Sequence, residues 1–498
     1  MTTSIAQVSG HPDSAARDQR DGRAVAPWWS PARWPAGWPL MAALVGYPLW
    51  WALGLGALVF PIAAIPMAWQ LKQRPHIQVP PWFGLWMLFI GWTLLGLVVL
   101  GINAPDTLPT TFAQGLDAYV LRSLQYLGAT VVLLYVGNLT EAEVPRLRII
   151  RWLSTLFIVT LAGGFVGLAL PSLEWKSPVE LLLPGPLAAR RGIVSMVHPQ
   201  VAQIQDVIGT GDARPNAPFE FTNAWGNNLS ILIIWFIVGW IVYGTARRRI
   251  WGLAALAVAV VPIVYSLNRG LWLGLALATC YAVFRLALAG RPWLIGALLA
   301  VGAAGLFVLA VTPLGGVVQS RADNGNSDQV RSSLAQASIN GGLSSPLIGY
   351  GGTRETVGSE DSIAIGATQE CPRCGNRTIG STGQAWNVLY SHGIVGLAAF
   401  LGFFVAILWR FRRDVTPIGI AAHTIVIVQM LYIFVYVGIS STLSLLLISV
   451  ALLWRNERDR LDGHPDPVVP RLGDTGFRRL TPQWETPSID RWTRERPT

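Results

Sequence analysis

The stretch Ser266-Leu267-Asn268-Arg269-Gly270-Leu271-Trp272-Leu273-Gly274 separates two apolar runs, 250–265 and 271–288. Each run is long enough to cross most of a bilayer, whose hydrocarbon core is about 30 Å thick. We therefore predict that Arg269 lies at a tight turn where two membrane helices meet. A guanidinium at a membrane boundary is costly unless it is paired or hydrated, which makes Arg269 a functional candidate. The alternative is a boundary arginine whose side chain reaches lipid phosphate.

The composition extends this prediction to the whole chain. Of the 498 residues, 52% are hydrophobic and 13% are charged, whereas soluble domains carry about 25% charged residues. The apolar runs do not alternate with period two, so they predict helices and not membrane strands. We predict an all-α membrane protein with about twelve transmembrane helices within residues 38–454. Residues 1–37 and 455–498 are polar and predict a disordered cytoplasmic N-terminus and a disordered cytoplasmic tail.

The placement of the basic residues predicts the orientation of the chain. Basic side chains concentrate in short connections that would share one side, at Lys72 and Arg74, Arg146 to Arg151, Arg247 to Arg249, Arg285 and Arg291, and Arg410 to Arg413. The positive-inside rule makes this side cytoplasmic, so both termini of a multi-pass inner or plasma membrane protein would be cytoplasmic. Orientation explains the net charge of +10, and no nucleic-acid partner is predicted. Two long connections, 171–225 and 314–385, then lie outside the cytoplasm, and loops of this length are usually functional.

Three arginines of the extracytoplasmic side are the main candidates for chemistry: Arg214, Arg269 and Arg331. Arginine presents a planar fork of donors that matches phosphate oxygens. Such residues beside lipid headgroups suit a pyrophosphate on a lipid carrier. Five other arginines of the long connections are predicted to be solvated loop charges, and they are Arg190, Arg321, Arg354, Arg373 and Arg377.

The stretch from Arg214 to Asn228 is rich in asparagine and aromatic residues and leads directly into an apolar run. Asparagine amides can satisfy sugar hydroxyls, and aromatic rings can cover the apolar face of a sugar. We therefore predict that Asn223, Trp225 and Asn227 bind substrate, together with Arg191 of the same connection. The alternative for Asn227 is that it caps the helix that follows.

Histidine and cysteine offer fewer candidates. His392 lies just inside an apolar run, and its neutral form at physiological pH permits a general-base role, although a structural role is the alternative. Cys371 and Cys374 lie outside the cytoplasm, where a disulfide is allowed, and we predict a local disulfide. A zinc site needs two more ligands, so no metal or cofactor is predicted. The motifs of ATP-driven transport, zinc proteolysis and serine hydrolysis do not occur.

These motifs resemble those of the O-antigen ligase/polymerase family of bacterial membrane glycosyltransferases. Residues 266–270 look like the family's Ser-Arg-Gly element, and Arg214 before the asparagine-rich stretch is similar to its first-loop arginine. Arg331 and the turn 346–351 look like the large-loop arginine and the Pro-x-x-Gly-x-Gly turn that follows it. Residues 393–396 match the family's Gly-x-x-Gly.

The resemblance covers residues 39–454 and implies transfer of a glycan from an undecaprenyl-pyrophosphate carrier to a glycan or lipid acceptor, without nucleotide sugar or metal. It implies that arginines hold the pyrophosphate and that the histidine of a His-Asn pair activates the acceptor. In this chain the His-Asn position falls at Thr382-Gly383. Gln384 and Trp386 are nearest and are predicted to bind substrate, whereas His392 is about ten residues later, roughly 15 Å along a helix.

Two other functions remain open from the sequence. The chain could be a transporter of lipid-linked glycan or polysaccharide, with arginines lining the substrate path. Transporters commonly contain internal repeats, and the two halves of this sequence show none. The chain could also be a non-catalytic partner in a cell-envelope complex, and the unmatched His-Asn pair favours that reading.

Overall fold

The computed structural model describes residues 35–185, 191–206, 211–311, 316, 326–356 and 378–463. The protein is mostly helical. Its helices in chain order are α1 (Trp38–Val45), α2 (Tyr47–Ala52), α3 (Val59–Lys72), α4 (Phe83–Leu95), α5 (Phe112–Asn138), α6 (Arg146–Ala169), α7 (Pro178–Leu182), α8 (Arg191–Val197), α9 (Thr222–Phe236), α10 (Ala246–Tyr265), α11 (Arg269–Leu288), α12 (Trp293–Val311), α13 (Asn326–Ser344), α14 (Gln384–Phe411), α15 (Pro417–Tyr432) and α16 (Ser441–Leu461).

Two short antiparallel hairpins interrupt this helical pattern within the described residues. Strand β1 (Ala202–Asp206) pairs with β2 (Gly211–Pro215), and β3 (Arg354–Glu355) pairs with β4 (Thr378–Ile379). Both hairpins belong to the long connections, so the expected all-α class is correct for the helical bundle and omits these strands. The last helix also continues beyond the predicted boundary at 454, because α16 ends at Leu461.

Six of the described helices are long and apolar enough to cross a membrane. They are α5, α6, α10, α11, α14 and α9 together with the π-helical turn Ile237–Val242 that extends it. Large apolar side chains are also exposed on the outside of the bundle, as at Leu253 and Leu273. This arrangement agrees with the predicted helical membrane class, since a lipid-facing surface needs no polar covering.

Helix α5 packs against α3 and α16. Its buried face includes Leu133 and Val136, which are not exposed. A Cβ atom on Gly137 would overlap the ring of Trp454 on α16. Close approach of this kind is what holds membrane helices together, because lipid tails are as apolar as leucine and burial alone gives no driving force.

Helix α14 packs against α4 and is bent near its start. Gly393 has φ of 66°, and a side chain there would meet the carbonyls of Pro346 and Leu347. The Ile394 amide donates to the Pro346 carbonyl at 2.7 Å. The glycine-rich turn 346–351 therefore docks on the bend, which explains why the sequence has glycine in both segments.

The two ends of the bundle differ in their connections. We call the end of the bundle at which α6 and α12 finish, and from which the two long connections leave, the loop end. At the opposite end Arg146 and Arg455 are buried, and both bond Glu141, at 2.7 and 3.1 Å. This buried ion cluster fastens α6 to α16.

The predicted turn between two apolar helices is confirmed. Helix α10 ends at Tyr265 and α11 begins at Arg269. The Asn268 side chain accepts a hydrogen bond from the Leu271 amide at 3.1 Å, which caps the start of α11. Leu267 has φ of 53°, so it reverses the chain in a conformation that side chains rarely adopt.

Several sequence predictions lie outside the described residues. They concern the disulfide between Cys371 and Cys374, the solvated arginines Arg190, Arg321, Arg373 and Arg377, and the disordered segments before Pro35 and after Gly463.

The contact between α5 and α16 makes a stability prediction. Gly137→Ala forces the buried Trp454 ring to move, so we expect a loss of about 1–3 kcal/mol of stability, typical of overpacking. The measurement is thermal unfolding in detergent. Gly91→Ala on α4 is the matched control, because nothing lies within 4 Å of a Cβ atom there. That variant should be neutral or gain about 0.5–1 kcal/mol from helix propensity, and equal unfolding temperatures for the two variants would contradict the packing account.

Candidate functional site

Arg214 joins the first long connection to the turn between α10 and α11. It lies on β2, is 7% exposed, and donates from Nε to the Ser266 carbonyl at 2.8 Å. The Thr222 hydroxyl in turn donates to the Arg214 carbonyl at 3.2 Å. The chain between these residues therefore folds back on itself, which holds the arginine beside the start of α9.

Tyr436 occupies the other side of the same turn. Its hydroxyl donates to the Asn268 side chain, and a Cβ atom on Gly270 would overlap that hydroxyl. The residue belongs to the connection 433–440 between α15 and α16, which we call the Tyr436 loop. The glycine after Arg269 is thus explained by the close approach of this phenol ring.

Arg331 of the second long connection acts on the same tyrosine. Burial raises the pKa of Tyr436 to about 12, while the positive charges of Arg331 and Arg214 oppose that rise. Both guanidiniums are therefore within electrostatic range of one hydroxyl. We call Arg214, Asn268, Arg331 and Tyr436 the arginine cluster. Arg269 follows Asn268 directly and is half-buried at the first position of α11.

Glu220 contacts the Tyr436 loop and was not among the sequence candidates. Its carboxylate accepts a hydrogen bond from Ser440 in the Tyr436 loop at 3.3 Å, and it is 8% exposed. Burial raises the pKa of this carboxyl. A signal existed in the sequence, since Glu220 is the acidic residue in the asparagine-rich stretch that leads into α9.

The residues predicted to bind sugar differ in how deeply they are buried and in what they contact. Trp225 is fully buried and donates to the Thr160 carbonyl at 3.1 Å, so its ring packs between α9 and α6. Asn227 is 2% exposed and accepts from Gln429 on α15 at 2.7 Å. Asn223 is half-buried one turn earlier on α9. Arg191 begins α8, and its side chain lies outside the described part of the chain.

Gln384 connects the Tyr436 loop to α5. Its amide nitrogen donates to the Tyr126 hydroxyl at 2.8 Å, and its oxygen accepts from the Gly438 amide at 3.2 Å. Trp386 is half-buried and donates to the Phe434 carbonyl at 3.0 Å. These two residues therefore shape the loop that carries Tyr436.

His392 lies eight residues after Gln384, about 12 Å further along the helix at 1.5 Å per residue. It is fully buried, and neither ring nitrogen has a hydrogen-bond partner among the described residues. Its neighbours include the Phe89 ring, with centroids 6.1 Å apart, and Ser391, which accepts from Arg122 at 3.3 Å. The described contacts thus place His392 with α4 and α5, and not with the arginine cluster.

Arg354 is not a solvated loop charge, so that prediction is wrong. It is 2% exposed, and its guanidinium donates to the carbonyls of Leu100 and Tyr350, at 2.9 and 2.8 Å. Burial lowers the pKa of Arg354, and the nearby Tyr390 and Tyr350 oppose that shift. The side chain therefore ties the second long connection to the segment that follows α4.

The chain matches no protein-family model, and no curated protein sequence is significantly similar to it. Within the described residues, no group of three His, Cys, Asp or Glu side chains could hold a metal ion.

The buried position of Arg354 makes a second stability prediction. Arg354→Met leaves the Leu100 and Tyr350 carbonyls without this donor, and each such loss costs about 1–3 kcal/mol. We expect a lower unfolding temperature in detergent and faster proteolysis of the second long connection. Arg148→Met is the control, because Arg148 is exposed at the start of α6. An unfolding temperature for Arg354→Met equal to that of the control would show that the side chain is not structural.

Proposed function

We propose that this protein is a membrane glycosyltransferase. It transfers a glycan from an undecaprenyl-pyrophosphate carrier to a glycan or lipid acceptor during assembly of cell-surface polysaccharide, as a ligase or a polymerase. The observation that supports this proposal best is that the charges of Arg214 and Arg331, from two different long connections, both act on Tyr436. Arg269 begins the helix that follows the same turn.

The chemistry follows from what guanidinium groups bind. Each guanidinium can donate two parallel hydrogen bonds to a phosphate group, and a pyrophosphate offers two such groups to arginines from separate segments. During transfer the acceptor oxygen attacks the sugar carbon, and the carbon–oxygen bond to the pyrophosphate breaks. Negative charge accumulates on the departing pyrophosphate, so fixed positive groups at that point stabilise the transition state.

We further propose twelve membrane crossings. These are α1 with α2, α3, α4, α5, α6, α9, α10, α11, α12, α14, α15 and α16. An even number puts both termini on one side, and the arginine-rich short connections make that side the cytoplasm. The loop end of the bundle is then extracytoplasmic, where the lipid carrier presents its glycan and where no ATP is needed for the transfer.

This topology predicts the labelling of two exposed positions in a variant with its native cysteines replaced by serine. Ser172 follows α6 at the loop end, and Ala142 precedes α6 at the opposite end. In intact spheroplasts, a membrane-impermeant thiol reagent should label Ser172→Cys and should label Ala142→Cys only after lysis. The reverse pattern would overturn the orientation.

Glycan transfer should require the guanidinium groups of Arg214, Arg269 and Arg331. In a deletion strain, carrier-linked glycan and surface polysaccharide can be measured by mass spectrometry and gel electrophoresis. Arg214→Lys, Arg269→Lys and Arg331→Lys retain the charge and lose the planar fork. We expect each to restore transfer at a rate about 10²–10³ times lower than wild type, the loss seen when one charge-stabilising donor is removed.

The controls separate the competing functions. Arg148→Lys, at the opposite end and exposed, should restore wild-type transfer at matched membrane levels. Accumulation of long carrier-linked chains in the deletion strain indicates a ligase, and accumulation of single repeat units indicates a polymerase. Carrier-linked glycan retained on the cytoplasmic side of the deletion strain would indicate a transporter. Wild-type transfer rates for all three lysine variants would contradict the proposed mechanism.

A further inference from the structure

A groove of about 600 Å³ opens at the opposite end of the bundle, between α6, α10 and the π-helical turn that extends α9. Its walls are closely packed. A Cβ atom on Gly239 of the turn would meet the Ser154 hydroxyl on α6 at 2.7 Å, and one on Gly252 of α10 would meet the Ile241 side chain at 2.8 Å. Helix packing therefore fixes the shape of the groove, and π-helical turns of this kind are frequent at functional sites.

The lining of the groove changes from basic to apolar along the helices. Arg247 and Arg248 line it in the first turn of α10, and Ala255 lines it seven residues further along, about 10 Å away at 1.5 Å per residue. Ile158 completes the apolar part from α6, about 18 Å from the start of that helix. A cationic region at the helix end, followed by an apolar region inside the bundle's span, matches the order of headgroup and chain in a lipid.

Three exposed arginines come together at the basic part of the groove. Arg151 of α6 lies within electrostatic range of Arg248, and like charges there repel one another. Within the described part of the chain, none of Arg151, Arg247 and Arg248 forms an ion pair. The first turn of α10 also contains no acidic residue, although the helix dipole is positive at that end. An anion bound between these arginines would offset both effects.

The positive-inside rule explains basic residues at this end of the bundle, and it does not explain their arrangement around a groove walled by tryptophan. Trp240 is half-buried and stacks on Phe236, with ring centroids 5.1 Å apart. Trp251 on α10 is 62% exposed beside the same groove. Tryptophan rings favour the headgroup level of a membrane. The two rings therefore place the basic part of the groove where lipid phosphates lie.

We infer that this groove is a binding site for one anionic phospholipid, a site that does not depend on the proposed transfer function. Arg151, Arg247 and Arg248 hold the headgroup phosphate, because a guanidinium donates two parallel hydrogen bonds to such a group. An acyl chain lies along Ile158 and Ala255. Basic pockets between membrane helices on the cytoplasmic side recognise lipid headgroups in this way.

The test is a titration of purified full-length protein in detergent with phosphatidylglycerol, with bound lipid counted by native mass spectrometry. Wild-type protein should show one tight site for this lipid and none for phosphatidylcholine, which carries no net charge. The double variant Arg247→Gln/Arg248→Gln should bind phosphatidylglycerol about 25-fold more weakly, because each basic residue near an anionic lipid contributes about fivefold.

Two exposed arginines at the same end provide the matched control for charge. The double variant Arg412→Gln/Arg413→Gln removes the same number of charges from the connection after α14. It should keep the wild-type affinity of the tight site. Equal weakening in the two double variants would show that net charge alone attracts the lipid, and it would overturn the assignment.

The apolar part of the groove has a separate test that leaves every arginine in place. Ala255→Trp fills the groove and should remove the tight site, whereas Ala257→Trp, at an exposed position of the same helix, should keep it. Wild-type binding by Ala255→Trp would overturn the placement of the chain. Displacement of the lipid by inorganic phosphate, or equal binding of phosphatidylcholine, would overturn the assignment of an anionic lipid. Unfolding temperatures identify any variant that fails to fold, and the remaining pair then carries the comparison.

Discussion

The hydrogen bond from Arg214 to the Ser266 carbonyl joins the parts of the molecule on which the candidate site depends. Ser266 follows the last residue of α10, and the last carbonyls of a helix have no partner within the helix. That end also carries partial negative charge from the helix dipole. A buried guanidinium at this point therefore satisfies the backbone and is itself stabilised. The same bond ties the hairpin of the first long connection to the turn that precedes Arg269.

Buried arginines are stabilised in two ways in the described part of the chain. At the opposite end, Arg146 and Arg455 bond the acidic side chain of Glu141, so the charges offset one another. At the loop end, Arg354 bonds backbone carbonyls, which are neutral. Dipoles satisfy the donors of a guanidinium and leave its net charge in place. Buried Arg285 at the opposite end is bonded in this second way too, to the Tyr281 hydroxyl and the Asp414 carbonyl.

The Tyr436 loop explains how distant segments form one site. It is eight residues long and contacts the turn before α11 through Tyr436, the first long connection through Ser440, and α14 through Gly438. Each contact is a hydrogen bond to a side chain from a different part of the sequence. Because the loop connects two packed helices, its position is fixed by the bundle. The site geometry therefore depends on helix packing, even though the chemistry lies in the connections.

The sequence by itself determined the helical membrane class and the turn at Ser266 to Arg269. It also identified Arg214 and Arg331 as candidate site residues. Those features follow from local composition, since apolar runs, caps and breaks act over a few residues. Only the tertiary structure decided which polar residues are buried. Trp225 and Asn227 entered the packing between helices, Arg354 became a buried link, and Glu220 was buried against the Tyr436 loop. An apolar run can face lipid or protein with the same residues, so the partners of each side chain depend on which surfaces meet after the helices pack.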